Sequence, residues 1–110
     1  MENNQLYTKA TSEIAKGKAS FIPDDIEAWS NSSKTVFKDG VLSEKTKQLI
    51  AIAVAHVTQC PYCIIDHTAQ AVKKGANKEE VMEAVCVAAE MHACGSSTHA
   101  PSVMDESIIK

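Results

Sequence analysis

Apolar residues along this 110-residue chain recur at the three-and-four spacing of helices, and no stretch shows the strict alternation of a half-buried strand. The pattern predicts a weakly amphipathic helix from Leu6 to Lys16, ended by "GKASFIPDD". Pro23 can open a second helix, because proline at the first helical position gives up only an N–H that would have no intrahelical partner. Ile26, Trp29 and Val36 form its apolar positions, and "KDG" is expected to close it with Gly40 in the left-handed conformation. Ser43 is a good N-cap for a third helix from Glu44 to about Thr58. The middle of that helix, "LIAIAVA", is apolar on every side and predicts enclosure at the centre of the fold or of an assembly. Pro61 resists an interior position, so a fourth helix should start there with Cys60 near its N-cap and stop at Gly75. Asn77 and Glu80 form a variant capping box for a fifth helix reaching Gly95, and the remaining tail has room for one more short helix. The expected architecture is all-α, a single domain of five to six helices.

Composition modifies this picture in one respect. Hydrophobic residues make up 45% of the chain but aromatics only 5%, so the core must come mainly from Ala, Val and Ile. A domain this small, with small side chains, gains from covering its faces with copies of itself, and a homo-oligomer is expected. The net charge of −3 offers no basic stripe to a nucleic acid. The apolar run at 49–57 falls short of the roughly 20 residues that cross a bilayer, so no membrane association is expected. The N-terminus lacks the apolar run of a secretory signal, and a cytoplasmic location follows. In that compartment the four cysteines (Cys60, Cys63, Cys86, Cys94) are better read as catalytic, metal-bound or buried than as structural disulfides.

The chemistry concentrates in "HVTQCPYCIIDH", residues 56–67. With Pro61 opening a helix, Cys60 and Cys63 lie three apart on its first turn, both sulfurs on one side. Unpaired N–H groups and the positive dipole end stabilise a thiolate there, and the spacing permits a disulfide. His67 follows Cys63 by four residues. Helical side chains lean toward the N-terminus, which directs its ring over Cys63 more than Cys60, and a neutral imidazole can take a thiol proton. That geometry makes Cys63 the attacking sulfur and Cys60 the resolving one, whereas proximity to the dipole favours Cys60. His56, Cys60, Cys63 and His67 are also a competent zinc set, although the usual long spacer between ligand pairs is missing. Tyr62 is expected to pack over the site, and His56 either lines it or packs with its ring nitrogens satisfied. Cys86, in "EAVCVAAE", suits a buried thiol. Cys94, near Gly95, has no evident partner. His92 and His99 read as surface or interface residues, and Met82, Met91 and Met104 as core or interface filling. Dithiol chemistry of this kind requires no cofactor and no metal.

From Leu42 to Ala100, "LSEKTKQLIAIAVAHVTQCPYCIIDHTAQAVKKGA" followed by "EEVMEAVCVAAEMHACGSSTHA" resembles the alkylhydroperoxidase D-like branch of the carboxymuconolactone decarboxylase family. The resemblance implies an all-helical fold assembled as trimers or hexamers. It implies a peroxidase in which Cys63 becomes a sulfenic acid, Cys60 resolves it and His67 relays protons. The substrate would be a hydroperoxide, and the electron donor a lipoyl-bearing or thioredoxin-like dithiol protein. One position departs from the family: where a glutamate usually stands twelve residues before the first cysteine, this chain has Gln48. Glutamine can orient a histidine but cannot shuttle a proton. Glu44, one turn earlier, is a possible substitute. The departure brings in a second expectation, a disulfide reductase or redox sensor with little peroxide turnover. Lactone decarboxylation, the reaction in the family's name, would leave Cys60 and Cys63 without a role.

Overall fold

The computed structural model describes residues 11–108, and over them the chain is helical with no strand: α1 (Ser12–Phe21), α2 (Pro23–Phe37), α3 (Glu44–Thr58), α4 (Pro61–Lys73) and α5 (Lys78–His99), followed by a 3-10 turn at Ala100–Met104. Two compact units divide it, the first ending at Lys38 and the second beginning at Asp39.

The first unit holds α1 and α2, and neither helix buries a residue. Part of the helix expected at its start, Leu6 to Ala10, lies outside the described residues. The remainder begins at Ser12, where the Thr11 hydroxyl accepts the Ile14 N–H at 3.2 Å. It runs past Lys16 and through Gly17 to Phe21. A glycine inside a helix costs about 1 kcal/mol relative to alanine, too little to end it alone. The effective stop is Ile22: the residue before a proline is pushed out of the helical region, and Ile22 has φ −135° and ψ 58°. Pro23 then opens α2 as expected. Gly40 does not take the left-handed conformation, because α2 has already ended at Phe37 with Lys38 extended (φ −66°, ψ 156°).

In the second unit α3 packs against both α4 and α5. Ion pairs fix the directions. Glu44 at the start of α3 pairs with Lys74 just past the end of α4, so those two helices are antiparallel. Lys45 pairs with Glu80 in the first turn of α5, so α3 and α5 run parallel. The core at their junction is Ile52, Ala71 and Ala76, with Leu49, Val81 and Val85 against it. Burial of Ile52, fully enclosed, contributes about 2 kcal/mol. Within one chain α3 encloses a single stripe, Gln48, Ile52 and Ala55. Ile50, Val54 and Val57, on its other side, are each about half exposed, so the enclosure expected from its composition is incomplete in the protomer.

Local signals set the helix ends here. The Ser43 hydroxyl accepts the Thr46 N–H at 3.1 Å. Asn77 and Glu80 complete both bonds of the capping box, at 2.8 and 3.0 Å. Gly75 (φ 96°) closes α4 through Ala76 N–H to Ala71 O at 2.9 Å and Gly75 N–H to Val72 O at 3.0 Å, the paired bonds of a Schellman motif. Helix α5 continues beyond Gly95 to His99. There Ala100 and Pro101 convert it to a 3-10 turn.

Candidate active site

The joint between α3 and α4 carries the two cysteines. Gln59 adopts the left-handed conformation at φ 57° and ψ 50°, the one positive-φ residue other than glycine among those described. It reverses the chain so that the Cys60 N–H donates to Ala55 O at 3.0 Å, ending α3. The same residue opens α4. Its backbone is extended, its sulfur accepts the Cys63 N–H at 3.2 Å, and its carbonyl accepts the Ile64 N–H at 3.0 Å. Pro61 supplies the first helical position. Cys60 and Cys63, both half-buried, are joined by a disulfide across a Cα–Cα distance of 5.3 Å.

His67 lies one turn further along α4 and is also half-buried. Its Nδ1–H donates to Gln48 Oε1 on α3 at 2.7 Å. Gln48 is 8% exposed and is the buried polar residue of the described chain. No buried side-chain nitrogen or oxygen among the described residues lacks a hydrogen-bond partner. Glu44, one turn before Gln48, does not take over a place at the imidazole, because its carboxylate is held by Lys74 two turns down α4 from His67. The Glu44 hydrogen bond in turn raises the Lys74 ammonium above its ordinary pKa.

The remaining expected residues divide between this joint and the surface. Tyr62, between the cysteines, is 41% exposed. His56 has its Nδ1–H on the carbonyl of Ile52 at 2.7 Å, the packed arrangement in which a ring nitrogen is satisfied by its own helix. The four candidate zinc ligands do not gather, and no group of three or more His, Cys, Asp or Glu side chains among the described residues could hold a metal ion. Cys86 is exposed, contrary to the expectation of a buried thiol. The inward stripe of α5 runs through Val81, Val85 and Ala88, and Cys86 is one step, about 100°, around the helix from Val85. Cys94 is exposed as well. Its S–H donates to Glu90 Oε2 at 3.2 Å, which pushes the thiol pKa up. His92 and His99 are exposed, and so are Met82, Met91 and Met104.

Two features had no signal in the sequence. One is the left-handed Gln59, since neither glycine nor asparagine marks the end of α3. The other is an open groove of about 570 Å³ lined by Val57, Met91, His92, Gly95 and Ser96. It runs between the last turn of α3, three residues before Cys60, and the parallel stretch of α5.

Comparison with known proteins bears on the whole arrangement. The family model described as the carboxymuconolactone decarboxylase family matches residues 23–106. The uncharacterized protein 4 of the cox locus of Paracoccus denitrificans is 56% identical over 77 residues, covering 67% of this chain and 69% of that protein. Among solved structures, an apo carboxymuconolactone decarboxylase family protein from Legionella pneumophila superposes with a TM-score of 0.66 at 38% identity, covering 74% of this chain and 75% of its own. A family member from Thermotoga maritima, described with a possible involvement in antioxidative response, gives a TM-score of 0.55 at 33% identity, covering 58% of this chain and 66% of its own. No helix among the described residues is long and apolar enough to cross a membrane.

Proposed function

This chain belongs to the carboxymuconolactone decarboxylase family, and from that premise we propose that it is a thiol-dependent peroxidase whose redox centre is Cys60, Cys63 and His67. The observation carrying the reading is the Cys60–Cys63 disulfide at the head of α4, with His67 one turn behind it on the same helix. In the reduced protein His67 takes the Cys63 proton. The thiolate attacks one oxygen of a hydroperoxide and breaks the O–O bond. Two electrons leave the sulfur, the other oxygen departs with a proton as alcohol or water, and Cys63 becomes a sulfenic acid. Cys60 attacks that sulfur, its thiol proton and the sulfenic hydroxyl leave as water, and the disulfide forms. An external dithiol protein, lipoyl-bearing or thioredoxin-like, restores both thiols by exchange and leaves as its own disulfide.

Intact mass measured before and after one equivalent of hydroperoxide tests this. The reduced chain should lose the mass of two hydrogen atoms, and the Cys60→Ser variant should stop at a dimedone-reactive sulfenic acid on Cys63. In the Cys63→Ser variant Cys60 should stay free of adduct; adduct found only there, on Cys60, would exchange the two roles, as the amide hydrogen bond to the Cys60 sulfur favours. No oxidation of either sulfur would end the reading.

A second reading has its own observation. The imidazole Nδ1–H ends on the neutral amide of Gln48, and that suits a disulfide reductase or redox sensor with little peroxide turnover. Steady-state peroxide consumption with lipoyl and thioredoxin donors separates the two: a disulfide that cycles readily while peroxide is barely consumed selects the second.

A further inference from the structure

We infer that Gln48 is a positioning residue that fixes the tautomer of His67 and makes the imidazole the end point of proton transfer from Cys63. The inference rests on the dithiol reading above and adds a residue on another helix to it. An amide oxygen accepts but cannot donate. With Gln48 Oε1 at 2.7 Å, Nδ1 must carry the hydrogen, so the lone pair of the neutral ring is on Nε2. When Nε2 takes the Cys63 proton, the products are a thiolate and an imidazolium, and the Nδ1–H stays on Gln48 throughout. Nothing moves past Nδ1, because an amide has no site to receive a proton at ordinary pH.

The charged and titratable groups of α3, the helix packed against α4 here, have partners of their own. Glu44 is held by Lys74, Lys45 by Glu80, and His56 donates to its own helix. The Lys47 ammonium lies near Gly40, 3.5 Å from where a Cβ would stand there. The burial of Gln48 protects the bond from competing water. Its neutrality means that Gln48 itself adds no charge to the thiolate–imidazolium pair.

The test uses the full chain, reduced, with ¹⁵N-labelled histidine. Long-range proton–nitrogen correlation spectra should show His67 protonated on Nδ1 and bare on Nε2. In Gln48→Met, which keeps the buried volume but offers no acceptor, the ring should revert to the Nε2–H form that free histidine prefers. Alkylation of the reduced pair at neutral pH should slow roughly fivefold, the worth of one neutral hydrogen bond. Gln48→Glu should restore the Nδ1–H tautomer and move the imidazole titration to higher pH, since a carboxylate favours the charged ring. Circular dichroism checks that each variant is folded, and Gln48→Glu decides the matter should Gln48→Met unfold. An Nε2–H ring in the native protein, or the same tautomer and the same pH profile in all three proteins, overturns the inference. The tautomer is read without any substrate, so a native protein with the expected ring and no reaction with peroxide would sink only the peroxidase reading.

Discussion

Two sulfurs of this chain receive opposite treatment from their neighbours. Cys60 takes an amide hydrogen from Cys63 at a helix start, an environment that favours a thiolate once the disulfide is reduced. Cys94 donates its hydrogen to a carboxylate and is held above its ordinary pKa. Exposure alone would make Cys94 a reagent target, but the thiolate is the nucleophile. In the reduced protein at neutral pH, iodoacetamide should therefore label the Cys60–Cys63 pair well before Cys94. Replacing Glu90 with glutamine removes the negative charge that keeps the proton on sulfur, so Cys94 labelling should accelerate while the pair is unaffected. Peptide mapping by mass spectrometry checks both rates. Residue identity in the sequence exposed the first of these environments, since proline after cysteine announces a helix start. It concealed the second, because the Glu90–Cys94 contact and the outward direction of Cys86 depend on which stripe of α5 the core takes.

At the level of elements, the caps were legible wherever a residue's own chemistry ends or begins a helix: Ser43, Pro61, Gly75 and the Asn77–Glu80 pair all do what their side chains dictate. Gln59 was illegible because it holds the left-handed conformation against its preference, at a cost of about 1 kcal/mol, compensated by the hydrogen bonds that end α3. Gly40 and Gly95 misled in the other direction, marking stops that the chain does not use. Gln59→Gly should accordingly raise stability by up to about 1 kcal/mol, seen as a higher urea midpoint with unchanged slope. The start of α5 has a pH signature. Glu80 is held below its ordinary pKa, chiefly by its hydrogen bond to Lys45 and then by the Asn77 amide. Its charged form is thus favoured by folding. That contribution is whole above the unfolded value near 4.5 and disappears as pH falls through the lowered one. Thermal melts across this acid window should show the step in the native chain and a smaller one in Glu80→Gln, which retains the reciprocal cap but not the ion pair.

For the molecule as a whole, the sequence foretold helices and a dithiol joint but not how little one chain encloses. Among the described residues five apolar ones, Ile52 and four alanines, are buried, while Ile50, Val54 and Val57 line an open stripe of α3. Covering such a stripe with another copy is the expected solution. Light scattering on the eluting protein should give a multiple of the 11.8 kDa chain, and Val54→Glu, which puts a charge in the stripe, should shift it toward the single chain. Trp29 adds a practical consequence. It is the chain's sole tryptophan, it belongs to the first unit, and it is 60% exposed on a helix with no buried residue. Intrinsic fluorescence is thus a lamp fixed to α2, and its colour turns blue when a surface closes over that tryptophan.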